Sequence, residues 1–349
     1  MKKLMFIVAS LGLGGAQKIA SFVMNTYCDS KYDVSVFSLS DEEHNIKLDP
    51  RIKVYYMNYT STNKLISKLD EIYKTKQIIN RINPDYVVIF GSYTFPSIGA
   101  VLSGKKIIGC ERGDPYTYTS LRQFINKRLY KKYYYTVFQS EGAKQYYKIN
   151  GHNSKIIPNP CFPSKIINIG DENVIVGAGR LTIDKGFDTL IEAFALVKSN
   201  HPSFKLYIYG DGPYLENLKE KAKKLNLSND VLFKGKVSNL INVFEHPKLF
   251  VLSSWFEGLP NTLIEAMSTG IPIVASDCSP GGARYLTLDG TVGGEIVPIK
   301  DAKKMAQAIN QVINNMKNAK QIGLAGKNRI LEFNVDKIKQ EWLILMEKI

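Results

Sequence analysis

Long apolar runs are what this 349-residue chain most plainly lacks. No stretch approaches the roughly 18–20 residues needed to cross a bilayer, which excludes an integral helical membrane protein. Cysteine is scarce too. Cys28, Cys110, Cys161 and Cys278 lie far apart, without the paired spacing of a zinc site or redox motif, and read as reduced structural thiols of a cytosolic protein. No Asp-x-Asp pair occurs that would hold a divalent cation, and there is no sequence repeat or low-complexity tract. Negative charge is under-represented: 32 Asp and Glu face 46 Lys and Arg, a formal net charge of +14. What remains is ordinary, with 44% hydrophobic and 22% charged residues, which excludes a disordered or collagen-like chain. At roughly 100–200 residues per domain, the length predicts two domains or one large one.

The charge is unevenly placed. Residues 1–160 hold 23 Lys and Arg against 12 Asp and Glu, a net +11, whereas the remainder holds 23 against 20, a net +3. Such asymmetry suggests an acidic partner for the first half: nucleic acid, an anionic membrane surface or a phosphorylated substrate.

The N-terminal Lys2-Lys3 and the apolar residues after it superficially resemble a signal peptide. That apolar stretch is short, however, and runs into Gly12, Gly14 and Gly15. Ile19, Ala20, Phe22, Val23 and Tyr27 then follow at helical spacing, so strand, glycine turn and helix is the better reading. Further strands are expected at 33–39, 85–91, 105–111 and 136–140, with helices at 64–82 and, strongly basic, at 121–135. Around 156–173 three prolines and a loss of periodicity mark a boundary. A second alternating series has strands at 173–179, 205–210, 231–235, 249–254, 272–276 and 294–298. Strands alternating with helices imply an α/β protein of two doubly wound parallel sheets facing a cleft, with domains 1–160 and 161–335. An amphipathic helix over 336–349 is expected to pack back toward the first domain.

The most informative stretch is "SSWFEGLPNTLIEAMSTGIPIVASD". A strand ends at Ser253-Ser254 and a helix starts near Pro260, a residue suited to a first helical position. Glu257 then sits in the loop, Glu265 one to two turns into the helix, and the amides of Gly258, Leu259, Asn261 and Thr262 open the helix N-terminus. Such an end favours an anion, most obviously phosphate. The two carboxylates suit hydroxyl-rich groups, although each alone is also an ordinary helix-end acid. Upstream, Arg180 and Lys185 stand between a strand and the next helix, as a diphosphate clamp or as plain surface charge. "GDGP" at 210–213 and "FKG" at 233–235 close two more strands with tight turns.

Together these residues resemble the retaining glycosyltransferases of family 4, which have the GT-B fold of two Rossmann-like domains. The matching motifs are "SLGLGGAQKIA" at 10–20, "PNP" at 158–160, "GRLTIDKG" at 179–186, "GDGP", "FKG", and the glutamates 257 and 265. They run over nearly the whole chain in the family's order. The resemblance implies a catalytic set of Arg180 and Lys185, on the donor diphosphate, and Glu257, orienting the hexose through its hydroxyls. Glu265 would bind the ribose, Gly14 and Gly15 would lie against the donor phosphates and sugar, and Phe233, Lys234 and Gly235 would hold the base. Gly258 to Thr262, with Pro260 among them, would complete the donor site. The family needs no cofactor or metal and transfers with retention, and no protein nucleophile is evident here. The resemblance implies a front-face displacement, in which the leaving phosphate accepts the acceptor's proton.

Two places depart from the pattern. Many relatives have a histidine after the fourth strand of the first domain, but His44, His152, His201 and His246 lie elsewhere, and "GCERGDPY" stands there instead. Arg112 takes that place, with Glu111 and Asp114 beside it. It either contacts a phosphate or sugar carboxylate, or forms an ion pair that shapes the loop. Near "SPGGARYLTLDG", Tyr285 or Arg284 replaces the usual acid, and Arg284 is a candidate phosphate contact.

The basic helix carries Arg122, Lys127, Arg128, Lys131 and Lys132 among Tyr130 and Tyr133 to Tyr135, which suits an anionic membrane or a solvated face over core tyrosines. The expected activity is transfer of a hexose or N-acetylhexosamine from a nucleotide sugar, UDP by the family's habit, to a lipid-diphosphate-linked or growing glycan. The enzyme would be cytoplasmic and peripheral to the inner face of the membrane, with nucleic acid not a partner. Rival readings are a nucleotide-dependent oxidoreductase, which "GLGGAQ" fails to match as G-x-G-x-x-G, and a non-catalytic scaffold of the same fold.

Overall fold

A computed structural model describes residues 1–12, 14–40, 46–59, 63–148, 153–162 and 164–349. Leu13 of the first glycine loop, Pro163 of the boundary segment, His44 and His152 lie outside the described residues. The chain divides into two compact units, Met1–Asn159 with Asp336–Ile349, and Pro160–Val335.

The first unit is built on seven parallel strands: β1 (Lys3–Val8), β2 (Asp33–Ser38), β3 (Lys53–Tyr56), β4 (Tyr86–Phe90), β5 (Lys106–Cys110), β6 (Tyr135–Phe138) and β7 (Ser154–Ile156), in the order β3-β2-β1-β4-β5-β6-β7. β1 and β4 are apolar without alternation because helices cover both faces of a parallel sheet. The apolar residues after Lys2-Lys3 thus form β1, an interior strand of the sheet. On one face Met5, Ile7, Val87, Ile89 and Ile107 meet Ile78 and Ile79 of helix Lys64–Ile82, Ala100 of helix Thr94–Leu102, and Leu129 and Tyr130 of helix Ser120–Tyr130. Helix Val335–Lys348 buries Trp342, whose backbone carbonyl accepts from the Tyr27 hydroxyl at 2.8 Å.

The second unit has β8 (Glu172–Ala178), β9 (Lys205–Tyr209), β10 (Val231–Gly235), β11 (Pro247–Leu252), β12 (Ile273–Ser276) and β13 (Gly294–Val297), all parallel, in the order β10-β9-β8-β11-β12-β13. All four cysteines are buried, and none of them forms a disulfide.

The basic run 121–135 is not one helix. The helix stops at Tyr130, and Tyr135 opens β6. Tyr130 and Tyr133 are buried, so these tyrosines are core residues whose hydroxyls need internal partners. Helix Thr94–Leu102 is absent from the sequence expectation because Pro96 interrupts it, yet Pro96 lies in the first turn, where its missing N–H is not required.

The glycine of "GDGP" has a direct structural cause. Gly210 sits at φ +134°, and a Cβ there would stand 1.8 Å from the Gly179 carbonyl oxygen. The loops after β9 and β8 therefore touch through backbone, the Leu181 amide donating to the Asp211 carbonyl at 2.9 Å, while the Gly210 amide donates to the Gly235 carbonyl at the end of β10 at 2.8 Å. Gly210→Ala is expected to cost at least about 2 kcal/mol, seen as a lowered urea midpoint, through clash added to backbone strain. Gly104→Ala, at φ +73° with open space around it, is expected to cost only about 1 kcal/mol.

Candidate active site

In the second unit, the loops with the sequence-identified residues follow the carboxyl ends of strands. β8 stops at Ala178, and Arg180 and the 3-10 turn Ile183–Lys185 lead into helix Phe187–Asn200. β11 stops at Leu252, and residues 253–260 lead into helix Asn261–Thr269. The two loops are laced together. The Ser253 hydroxyl donates to the Lys185 carbonyl and the Trp255 amide to the Asp184 carbonyl, each at 2.8 Å. Gly186, at φ +62°, permits this approach, since a Cβ there would lie 2.1 Å from the Ser253 carbonyl oxygen.

The lacing sets Lys185 Nζ against Glu257 Oε1 as an ion pair, and Ser254 Oγ donates to the same oxygen at 3.3 Å. The Glu257 amide is fixed by the Ser279 carbonyl at 3.0 Å. The two side chains are 21% and 20% exposed, open enough to meet a ligand. A pair with that much solvent contributes only about 0–1 kcal/mol to stability, too little to account for two loops shaped around it. Arg180 is exposed on the same loop. Ser253, Ser254 and Trp255, whose indole packs under Lys300 Nζ at 4.0 Å from the ring centroid, are supporting residues that no sequence motif singled out.

Helix Asn261–Thr269 begins with Pro260 as its N-cap, without a side-chain cap and without an acid in the first turn. The positive end of this helix therefore meets no acid of its own first turn, and the amides of Asn261 and Thr262 point out of the helix toward the loop that carries Glu257. Gly258 is half-buried and Leu259 buried in the preceding loop, and Glu265 is half-buried one turn in. At the far edge of the sheet, Phe233 is half-buried, Lys234 Nζ lies 4.3 Å over the Tyr207 ring, and Gly235 ends β10 at φ +70°. Arg284 is already engaged: Asp277 holds Nε and Nη2 at 2.6 Å each, and Asp289 holds Nη1 at 3.0 Å, which raises its pKa.

In the first unit, Gly14 caps helix Gly15–Asp29 and accepts from the Lys18 amide at 2.9 Å. A Cβ on Gly14 would meet Gln17 Oε1 at 2.3 Å, the mobile end of a side chain. Beyond β5, the carboxylate of Glu111 is fully buried and is held by three tyrosines: Tyr118 at 3.0 Å, Tyr130 at 3.1 Å and Tyr147 at 2.5 Å. The Gly113 amide adds a fourth donor at 3.1 Å. Burial first, and the Glu111 charge second, raise the pKa of each of these phenols, so they remain protonated and donate. Arg112 instead lies between aromatic rings, 4.4 Å from the Phe90 centroid and 5.3 Å from that of Trp342, with Nη1 donating to Asn159 at 3.3 Å. Asp114 is buried and caps the next turn by accepting from the Tyr116 amide at 2.9 Å. The tyrosine cage was hidden in sequence because its donors are 7, 19 and 36 residues from Glu111. Glu111→Ala is expected to cost about 3–5 kcal/mol by urea unfolding, since three hydroxyls lose a buried anion together.

Comparison with known proteins follows the same lines. Residues 163–329 match the family model described as glycosyl transferases group 1. An uncharacterized glycosyltransferase of Haemophilus influenzae is 28% identical, over 98% of this chain and 99% of that protein. The GalNAc-alpha-(1->4)-GalNAc-alpha-(1->3)-diNAcBac-PP-undecaprenol alpha-1,4-N-acetyl-D-galactosaminyltransferase of Campylobacter jejuni is 27% identical, over 100% of this chain and 99% of that protein. The crystal structure of Anabaena Alr3699/HepE in complex with UDP and glucose superposes with a TM-score of 0.82 at 19% identity, covering 100% of both chains. The chain has the GT-B fold of two Rossmann-like units, and residues 163–329 of it are similar to the group 1 glycosyl transferases.

Proposed function

We propose that the protein is a retaining, metal-independent transferase that moves a hexose or N-acetylhexosamine from a UDP-linked donor to a lipid-linked or growing glycan. The observation behind this reading is the meeting of Lys185 and Glu257 on two laced loops. A cation for phosphate and a carboxylate for hydroxyls stand side by side, as a sugar diphosphate requires. Arg180, Lys185 and the amides of the Asn261–Thr269 helix take up the charge that develops on the leaving phosphate. Glu257 accepts from hexose hydroxyls and orients the ring, and Glu265 accepts from the ribose. The bond from the anomeric carbon to the leaving phosphate oxygen breaks while the acceptor oxygen bonds to the same face, and the acceptor's proton passes to that phosphate.

Two named relatives support donor and acceptor: the Anabaena protein binds UDP and glucose, and the Campylobacter enzyme is named for a PP-undecaprenol glycan. Among the described residues no group of three or more His, Cys, Asp and Glu side chains is placed to hold a metal ion. No helix among them is long and apolar enough to cross a membrane, and the proposed place of work is the cytoplasmic face, with Lys127, Arg128, Lys131 and Lys132 toward anionic lipid.

The purified protein, incubated with a panel of nucleotide sugars, is expected to release nucleotide from one UDP-sugar and to be thermally stabilised by it, equally with and without EDTA. No donor-specific response contradicts the proposal, and loss of turnover in EDTA contradicts its metal-free part. Glu257→Gln and Lys185→Met are each expected to lower turnover at least about 100-fold. Their melting temperatures should stay within a few degrees of wild type, because so exposed a pair stabilises little. A collapsed fold in either variant would make the pair structural.

A further inference from the structure

The second sheet has another opening, at the end away from Lys185 and Glu257. β12 and β13 start at Ile273 and Gly294, helix Ala302–Asn314 returns beside them, and helix Met316–Leu331 sets out again after Asn315. Because the strands are parallel, these ends gather on the amino-end rim, opposite the rim from which the Arg180 and Glu257 loops leave. Between them lies a cleft of about 350 Å³, at the lower end of the range for small-molecule sites. Pro272, Val312 and Ile322 give it an apolar wall, and Glu295, Gln311, Asn314 and Asn318 give it a polar one.

The polar wall carries charge at one point. Glu295 is half-buried, and burial is what raises its pKa. Its surroundings require the Gln311 amide nitrogen to face it, donating to the two carboxylate oxygens at 3.1 and 3.0 Å. A carboxylate offers about four acceptor positions, so Glu295 keeps capacity for the hydroxyls of a ligand. Six of the twelve residues 310–321 are Asn or Gln, although Asn is a poor helix former. Asn315 has a structural reason, since it caps helix Met316–Leu331 by accepting from the Asn318 amide at 3.4 Å. Asn314 and Asn318 are exposed at the cleft, where helix stability asks for neither. Among the described residues that line it there is no Lys, Arg or His, so a phosphate finds no cation and meets Glu295 instead. Carboxamides and a carboxylate facing an apolar wall suit a neutral ligand with many hydroxyls and a C–H face, which is a saccharide. We infer that this cleft is a second saccharide site, remote from the Lys185–Glu257 pair, that holds an inner stretch of the growing glycan. That purpose rests on the transferase reading, whereas binding of a free saccharide needs no turnover and is tested apart from it.

The test is saturation-transfer NMR with calorimetry on the full chain in the presence of UDP. The ligands are neutral trisaccharides of glucose, galactose, N-acetylglucosamine and N-acetylgalactosamine, with putrescine and inorganic phosphate as charged controls. At least one trisaccharide is expected to bind, and phosphate is not expected to compete with it. Glu295→Gln, and Asn314→Ala combined with Asn318→Ala, should each weaken that trisaccharide at least about tenfold, the size of one lost hydrogen bond to a charged group. UDP affinity, melting temperature and turnover on a single-sugar acceptor should stay as in wild type, which separates this cleft from any acceptor site elsewhere. Absence of trisaccharide binding, or binding that neither variant weakens, would overturn the inference. Putrescine bound by wild type and lost in Glu295→Gln, without a trisaccharide response, would assign the cleft to cations instead. Trisaccharide binding that depends on Glu295 in a protein without donor turnover would uphold the site and remove the transferase reading.

Discussion

In both units every strand pair is parallel, so each strand must be followed by a segment that returns over a sheet face before the next strand begins. That constraint gathers the loops leaving strand carboxyl ends onto one rim of each sheet, and helices then start from that rim with their positive ends toward it. Arg180, Lys185, Glu257 and the Asn261–Thr269 N-terminus owe their placement in the second unit to this rule. So do Gly14, Glu111, Arg112 and Asp114 in the first. Backbone direction thus decides where chemistry is placed before any side chain is chosen.

Carboxylates in the two units show how burial separates structural from chemical roles. Glu111 is sealed and its oxygens are occupied by phenols and an amide, so it fixes the loop that presents Arg112 and Asp114. Glu257 has one cation and one hydroxyl on a single oxygen and keeps the rest of its acceptor capacity for a ligand. Arg112 and Arg284 diverge in a similar way. One is packed between rings and tied to Asn159, and the other is neutralised by two aspartates, whereas Arg180 stays exposed.

Much of this was legible in sequence, since local patterns carried it. Short apolar runs alternating with amphipathic stretches of roughly 10–15 residues are enough to announce parallel sheets, and "GRLTIDKG" with "FEGLPNTLIEA" announces the loops of the candidate site. What local pattern cannot hold is pairing across distance. β3 and β7 escaped because four and three residues at or near a sheet edge show no period. The run 121–135 looked like one helix because its tyrosines fit a helical face, but Tyr130 and Tyr133 turn inward to a carboxylate and a core that only the folded chain assembles. Likewise, Lys185 and Glu257 are 72 residues apart, and only the lacing of Ser253 to the Lys185 carbonyl shows them as a pair.

The central claim is a division of labour at that pair, with Lys185 serving phosphate and Glu257 serving sugar. Calorimetric titration with UDP and with the matching UDP-sugar, in wild type, Lys185→Met and Glu257→Gln, tests it most directly. The account requires Lys185→Met to weaken both ligands alike and Glu257→Gln to weaken only the UDP-sugar. Equal weakening of UDP by both variants, or an undiminished preference for the UDP-sugar in Glu257→Gln, would contradict it.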